Sequence, residues 1–158
     1  MIKSNASGIM YGRPYGGVAT LIKKSILPDC KCELVNDRIV ALSVCNSLFI
    51  NTYLPCDDGA QSNTEILIEI LSVVSDLFND FNYDYKFVCG DFNTNLYSNR
   101  KNSVLVKNLL AENDLKFTGL LDANKQPCFT FSNEKRNCSS QIDYIMLFFN
   151  AVMLCTII

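Results

Sequence analysis

The 158-residue sequence contains no histidine and no tryptophan. The first absence removes every chemistry that runs through imidazole in this chain, including Ser-His-Asp and Cys-His nucleophiles, His-x-x-x-His zinc sites and Cys2His2 fingers. The second removes the largest stacking anchor. Charge is scarce as well: 19% of residues are Asp, Glu, Lys or Arg, with a formal net charge of −2. A protein that binds by blanketing phosphates with Lys and Arg has the opposite balance, although a metal-mediated phosphate enzyme is compatible with it. Long hydrophobic runs are missing too. The most apolar stretch, Tyr144 to Ile158, is interrupted by Asn150, and a membrane span needs about 20 apolar residues. A buried strand with an atypical tail over 149–158 is the expectation, with no transmembrane helix and no membrane partner.

Apolar residues make up 49% of the chain, enough for one ordinary core, and a single domain over residues 1–158 is expected. Eight cysteines are present, at 30, 32, 45, 56, 89, 128, 138 and 155. Cys45 and Cys89 lie inside apolar strand-like runs and no C-x-x-C spacing occurs. With no basic-then-apolar leader visible at the start, reduced cysteines in an intracellular (nuclear or cytoplasmic) protein are the expectation.

Local patterns set out a mixed α/β protein. Val18–Ile22, Arg38–Val44 and Leu48–Leu54 read as strands, the last two joined by a tight turn at Cys45-Asn46-Ser47. Ser62-Asn63-Thr64-Glu65 has the form of a capping box, followed by Leu67, Ile70, Leu71, Val74, Leu77 and Phe78 at helical spacing. Tyr85–Cys89 reads as a strand and Ser103–Asn113 as a second helix. Phe129-Thr130-Phe131 and Ile142–Phe148 read as the last strands.

Three short segments carry chemistry. In Val88-Cys89-Gly90-Asp91-Phe92-Asn93 a strand ends at a Gly, and two polar side chains at i and i+2 share one side in extended chain. Such a pair holds a water and a phosphate oxygen side by side; an Asx turn capping the strand explains the same residues equally well. In Asn51-Thr52-Tyr53-Leu54-Pro55, Asn51 and Tyr53 share a strand face that Pro55 ends, and the phenol can donate to a phosphate, although strand tyrosines usually pack. In Ser140-Gln141-Ile142-Asp143-Tyr144-Ile145 an acid interrupts an apolar strand, where burial is costly without a partner. Asp143 is therefore either an exposed edge residue or a site residue, and its apolar neighbours favour burial and a site.

Gly12-Arg13-Pro14-Tyr15-Gly16-Gly17-Val18-Ala19, Asn51-Thr52-Tyr53-Leu54-Pro55, Gly90-Asp91-Phe92-Asn93, Phe129-Thr130-Phe131 and Ser140–Ile145 follow one another in the order and rough spacing of one superfamily. Together they resemble the endonuclease/exonuclease/phosphatase superfamily over about residues 8–147. The combination of Gly-Arg-x-x-Gly-Gly-Val-Ala with Asn-x-Tyr-x-Pro is most similar to the apurinic/apyrimidinic-type endonuclease domain of non-LTR (LINE-type) retrotransposons.

The resemblance implies a four-layer sandwich of two packed β-sheets flanked by helices, incomplete at both ends, and Mg2+-dependent hydrolysis of DNA phosphodiesters. It also assigns roles. Asp91 orients or deprotonates the attacking water and is the one retained candidate metal ligand; Asn93 holds that water or a phosphate oxygen. Tyr53 hydrogen-bonds the scissile phosphate with Asn51 in support, Arg13 and Thr130 contact substrate, and Asp143 orients a catalytic His.

The departures are equally specific. The family's metal-binding Glu, which precedes the Gly-Arg segment, and its closing Ser-Asp-His have no match here. The expectation is thus a truncated nuclease domain with weak Mg2+ binding and no appreciable activity. The alternatives are a non-catalytic remnant or binding module and, more distantly, a phosphoesterase for inositol or lipid phosphates.

Overall fold

The computed structural model describes residues 2–3, 17–80, 83–118 and 128–148. Along the chain these form β1 (Ile2–Lys3), β2 (Ala19–Thr20), β3 (Cys30–Val35), β4 (Ile39–Val44), β5 (Ser47–Tyr53) and α1 (Gln61–Asp80). Then come β6 (Tyr85–Asp91), α2 (Lys101–Glu112), β7 (Leu115–Thr118), β8 (Phe131–Asn133), β9 (Cys138–Ser140) and β10 (Asp143–Phe148). Six strands make one sheet in the order β3-β4-β5-β6-β10-β7, while β1-β2 and β8-β9 are separate two-stranded pieces. The fold is α/β, as expected.

The sheet is mixed because of what joins its strands. Cys45-Asn46 closes β4 onto β5 with Val44 opposite Ser47, and Cys45 takes the left-handed conformation (φ 51°) that so short a turn demands. β5 and β6 run parallel, since α1 carries the chain back to the starting edge between them. β10 inserts between β6 and β7, antiparallel to both.

Period-two alternation then decides the layers. Leu48 and Ile50 of β5, Val88 of β6, and Tyr144 and Met146 of β10 face the helices. There they form one buried cluster with Leu67, Ile70, Leu71, Val74, Leu77 and Phe78 of α1 and Val106, Leu109 and Leu110 of α2. Val40 and Leu42 point to the opposite face, where a smaller cluster with Val18 is partly closed by Ile22, Cys30 and Tyr53. β2 is tied to that second face by the Asn51 amide, which donates to the Ala19 carbonyl at 3.2 Å and to Thr20 Oγ1 at 3.3 Å.

Several expectations change. The capping box at Ser62 lies inside α1, which starts at Gln61. The approach to the helix is shaped instead by Asp58, whose carboxylate accepts the Ala60 N–H at 2.9 Å. β3 and β7 are strands that sequence patterning does not mark. The strand expected over Val18–Ile22 is paired only at Ala19–Thr20, and the one expected at Phe129 begins at Phe131. The Gly12–Gly16 segment, with Arg13, and the tail 149–158 lie outside the described residues. No helix among the described residues is long and apolar enough to cross a membrane.

Candidate active-site rim

Strand register builds the candidate site. Tyr53 of β5 is directly opposite Asp91 of β6, and Asp91 is directly opposite Asp143 of β10. In-register partners project from the same face of a sheet, so the three side chains form one row across three adjacent strands. Their chain neighbours Thr52 and Tyr144, 2% and 3% exposed, turn toward the helices, which places the row on the opposite face. It lies at the carboxyl ends of β5 and β6, where Leu54 N–H bonds the Asp91 carbonyl at 2.9 Å and continues the pairing.

Gly90 permits this register. Its φ is +136°, and a Cβ at that position would sit 1.9 Å from the Thr52 carbonyl oxygen. Thr52 and Gly90 are register partners, so the backbone of β5 occupies the space of the missing side chain. Only glycine brings the two strand ends this close.

The two acids meet at short range. Phe92 N–H donates to the Ile142 carbonyl at 2.8 Å, making that pair a hydrogen-bonded one. The next pair, Asp91 with Asp143, is therefore of the non-hydrogen-bonded kind, with Cα atoms about 4.5 Å apart and side chains closer than in a hydrogen-bonded pair. Burial pushes the Asp91 carboxyl above its ordinary value of 3.8; the charge of Asp143 adds to this and the Asn93 N–H works against it. Asp143 itself is exposed, so it incurs none of the burial cost that its apolar neighbours led one to expect. Its backbone is pinned by Thr130, whose Oγ1 accepts the N–H groups of Ile142 and Asp143 at 3.0 and 3.1 Å.

Asn93 occupies a different geometry from the extended one its spacing predicted. Its backbone is left-handed (φ 47°), and its N–H donates to Asp91 Oδ1 at 2.8 Å. The Asx turn is thus present at the strand end. The Asn93 amide Nδ2 donates to the Leu54 carbonyl at 2.8 Å, beside Tyr53, and its Oδ1 accepts the Cys56 thiol at 3.2 Å. Asn51 is on the row's face, one pleat back, with its amide engaged by β2. Tyr53, Asp91, Asn93 and Asp143 are brought together; Thr130 braces them, Asn51 flanks them, and Arg13 lies outside the described residues.

Two neighbours of the row, Cys56 and Arg38, are not marked as site residues by the sequence pattern. Cys56 packs against Asn93, with burial and the charges of Asp91 and Asp58 pushing its thiol up and Arg38 pulling it down. Arg38 precedes β4 and pairs with Tyr53: its carbonyl accepts the Tyr53 N–H at 2.9 Å. Its Nη1 donates to the Tyr53 carbonyl at 3.4 Å, and its guanidinium carbon is 5.3 Å from the Tyr53 ring centroid. The available signal was the turn Asn36-Asp37-Arg38, where Asn36 Oδ1 accepts the N–H groups of Arg38 and Ile39 at 2.9 and 2.7 Å.

No protein-family model matches the sequence, and no curated protein does. Solved structures do. A 3′ phosphatase, NExo from Neisseria, bound to a product DNA hairpin, is similar with a TM-score of 0.59 at 14% identity, over 79% of this chain and 60% of that one. The endonuclease domain of TRAS1, a telomere-specific non-LTR retrotransposon, is similar with a TM-score of 0.58 at 15% identity, over 80% of this chain and 58% of that one. An AP endonuclease from Archaeoglobus fulgidus follows with a TM-score of 0.54 at 16% identity, over 74% and 55%. The chain spans less than two thirds of the length of each of these proteins. Given these likenesses and the helix-backed mixed sheet, the chain has an endonuclease/exonuclease/phosphatase-type fold.

Proposed function

We propose that Tyr53, Asp91, Asn93 and Asp143 form the phosphodiester-facing rim of a metal-dependent DNA endonuclease domain of the retrotransposon type, and that residues 1–158 alone do not turn over substrate. The observation that carries the reading is the register-locked row of a phenol and two carboxylates at the strand ends. The likeness to a retrotransposon endonuclease domain and to a phosphatase holding DNA supports the substrate class.

Asp91 and Asp143 are the residues that would hold Mg2+, an ion often bound by one or two carboxylates with water and substrate phosphate completing the shell. Two close carboxylates, one of them reluctant to ionise, are a donor set that a cation relieves, although the described residues contain no cluster of three or more ligating side chains. Once bound, the metal would neutralise charge on phosphoryl oxygens. The chain's own residues do the rest. In a complete site Tyr53 would donate its hydroxyl to a phosphate oxygen, and Asp91, whose Oδ1 accepts the Asn93 N–H, would accept a proton from water.

Two features support inactivity of the chain alone. No imidazole is present among 158 residues to shield the phosphate or supply a proton. One donor of the Asn93 amide is committed to the Leu54 carbonyl. Groups that act as a unit are strongly non-additive, so losing one already costs orders of magnitude.

The second reading, a binding module without hydrolysis, is favoured by the same commitment of Asn93. Plasmid nicking with Mg2+ by the chain and by Asp91→Ala is expected to stay equal and at background. Nicking that the substitution abolishes overturns inactivity. Chemical shifts of the Tyr53 ring should move when a short duplex oligonucleotide is added; their invariance overturns the phosphodiester-facing rim.

A further inference from the structure

The rim has a charge problem. It offers two carboxylates to a polyanion, in a chain whose net charge is already −2. Among the described cations, Lys31 pairs with Glu33, Lys86 Nζ donates to the Phe78 carbonyl, and Lys107 Nζ donates to the Ser98 carbonyl. Arg38 is the described cation that touches the row. We infer that Arg38 is the phosphate-binding cation of this rim, its guanidinium donating to a non-bridging oxygen of the same phosphodiester that meets the Tyr53 hydroxyl.

The geometry prepares it for that task. Asn36 fixes the Arg38 backbone from one side and the Tyr53 N–H fixes it from the other. The guanidinium lies over the Tyr53 ring, a placement that holds the fork flat and lowers the entropy lost when it binds. Of its five N–H donors the structure engages one, in a 3.4 Å bond to the Tyr53 carbonyl. The fork that remains suits two oxygens of a phosphate. The opposed pulls of Arg38 and Asp91 on the Cys56 thiol place both charges in one neighbourhood. Arg38 thereby ties substrate charge to the orientation of Tyr53, and loses its purpose if the rim meets no phosphodiester, so the inference rests on the function proposed above.

The test uses the 158-residue chain, dimethyl phosphate as the smallest phosphodiester, and a short duplex oligonucleotide. Dimethyl phosphate should shift the Arg38 Nε–H resonance of the unsubstituted chain. Arg38→Ala should weaken oligonucleotide binding about tenfold and flatten its salt dependence by about one phosphate contact. Arg38→Lys, which keeps the charge and loses the fork, should recover the salt slope more fully than the affinity. A role confined to bracing Tyr53 would move neither the resonance nor the slope. An unmoved Nε–H resonance overturns the inference even if DNA binds, and so does an unchanged slope in folded Arg38→Ala. A shifted resonance in a chain that binds no DNA upholds Arg38 and rejects the DNA reading. Should Arg38→Ala fail to fold, the resonance and the Lys variant decide.

Discussion

Asp91 sits where a carboxylate is least comfortable, partly buried and facing Asp143, and its raised pKa makes it a source of instability at neutral pH. The native state holds this proton more tightly than the unfolded chain does. Stability from this group is therefore full below the unfolded value of about 3.8 and is lost as pH rises through the higher folded value. Asp91→Asn keeps an acceptor for the Asn93 N–H and removes the charge. The variant is expected to melt a few degrees above the unsubstituted chain at pH 7, the gap closing on acidification and vanishing below about pH 3.8. A variant that melts lower at pH 7 would show that the carboxylate is paired favourably. At this scale the sequence was informative about which residues matter, because a Gly, an Asp and an Asn at a strand end are local signals. Their partners were less legible. Arg38 meets Tyr53 through cross-strand pairing, and the commitment of Asn93 to Leu54 depends on the close approach of two strands distant in sequence.

Strand elements were legible where alternation was clean and illegible where it was not. Leu48 to Tyr53 alternates faithfully, and α1 shows an unbroken apolar stripe. β3, an edge strand reading Cys-Lys-Cys-Glu-Leu-Val, has a register shift between Cys32 and Leu34 that breaks the period. β7 is four residues long, too short to establish one. The junction of β5 with β6 depends on a single missing side chain. Gly90→Ala puts a methyl on the Thr52 carbonyl and demands a conformation hostile to L-residues. Because the colliding atom is backbone, no rotamer change relieves it. The expected loss is about 3 kcal/mol or more in urea denaturation. A loss under about 1 kcal/mol would mean that the strand ends separate freely and that the register is not what holds Tyr53 against Asp91.

For the molecule as a whole, the two faces of the sheet are unequally provisioned. The helix side is a continuous buried cluster, whereas on the other side Leu21, Ile26 and Phe49 are 81%, 44% and 39% exposed. These three line one apolar cavity of about 250 Å3 with Ile22, Cys30, Leu42 and Val44. Contiguous exposed apolar surface favours association. The chain is expected to elute from size-exclusion columns larger than a monomer, increasingly so with concentration. Leu21→Lys with Ile26→Lys should shift it toward monomer without lowering its melting temperature, since neither side chain is buried. A sharp, concentration-independent monomer peak from the unsubstituted chain would contradict this.

The insertion of β10 between β6 and β7 has a consequence in time. β5, α1 and β6 are consecutive and can associate as the chain emerges from the ribosome. Until residues 143–148 exist, β6 and β7 lack the strand that joins them, and Asp91 faces no second acid. The last described strand to be synthesised is therefore the one that completes the row. A nascent chain passes through a state with the α1 side of its largest core gathered but Tyr144 and Met146 still missing from it, open edges at β6 and β7, and no assembled rim.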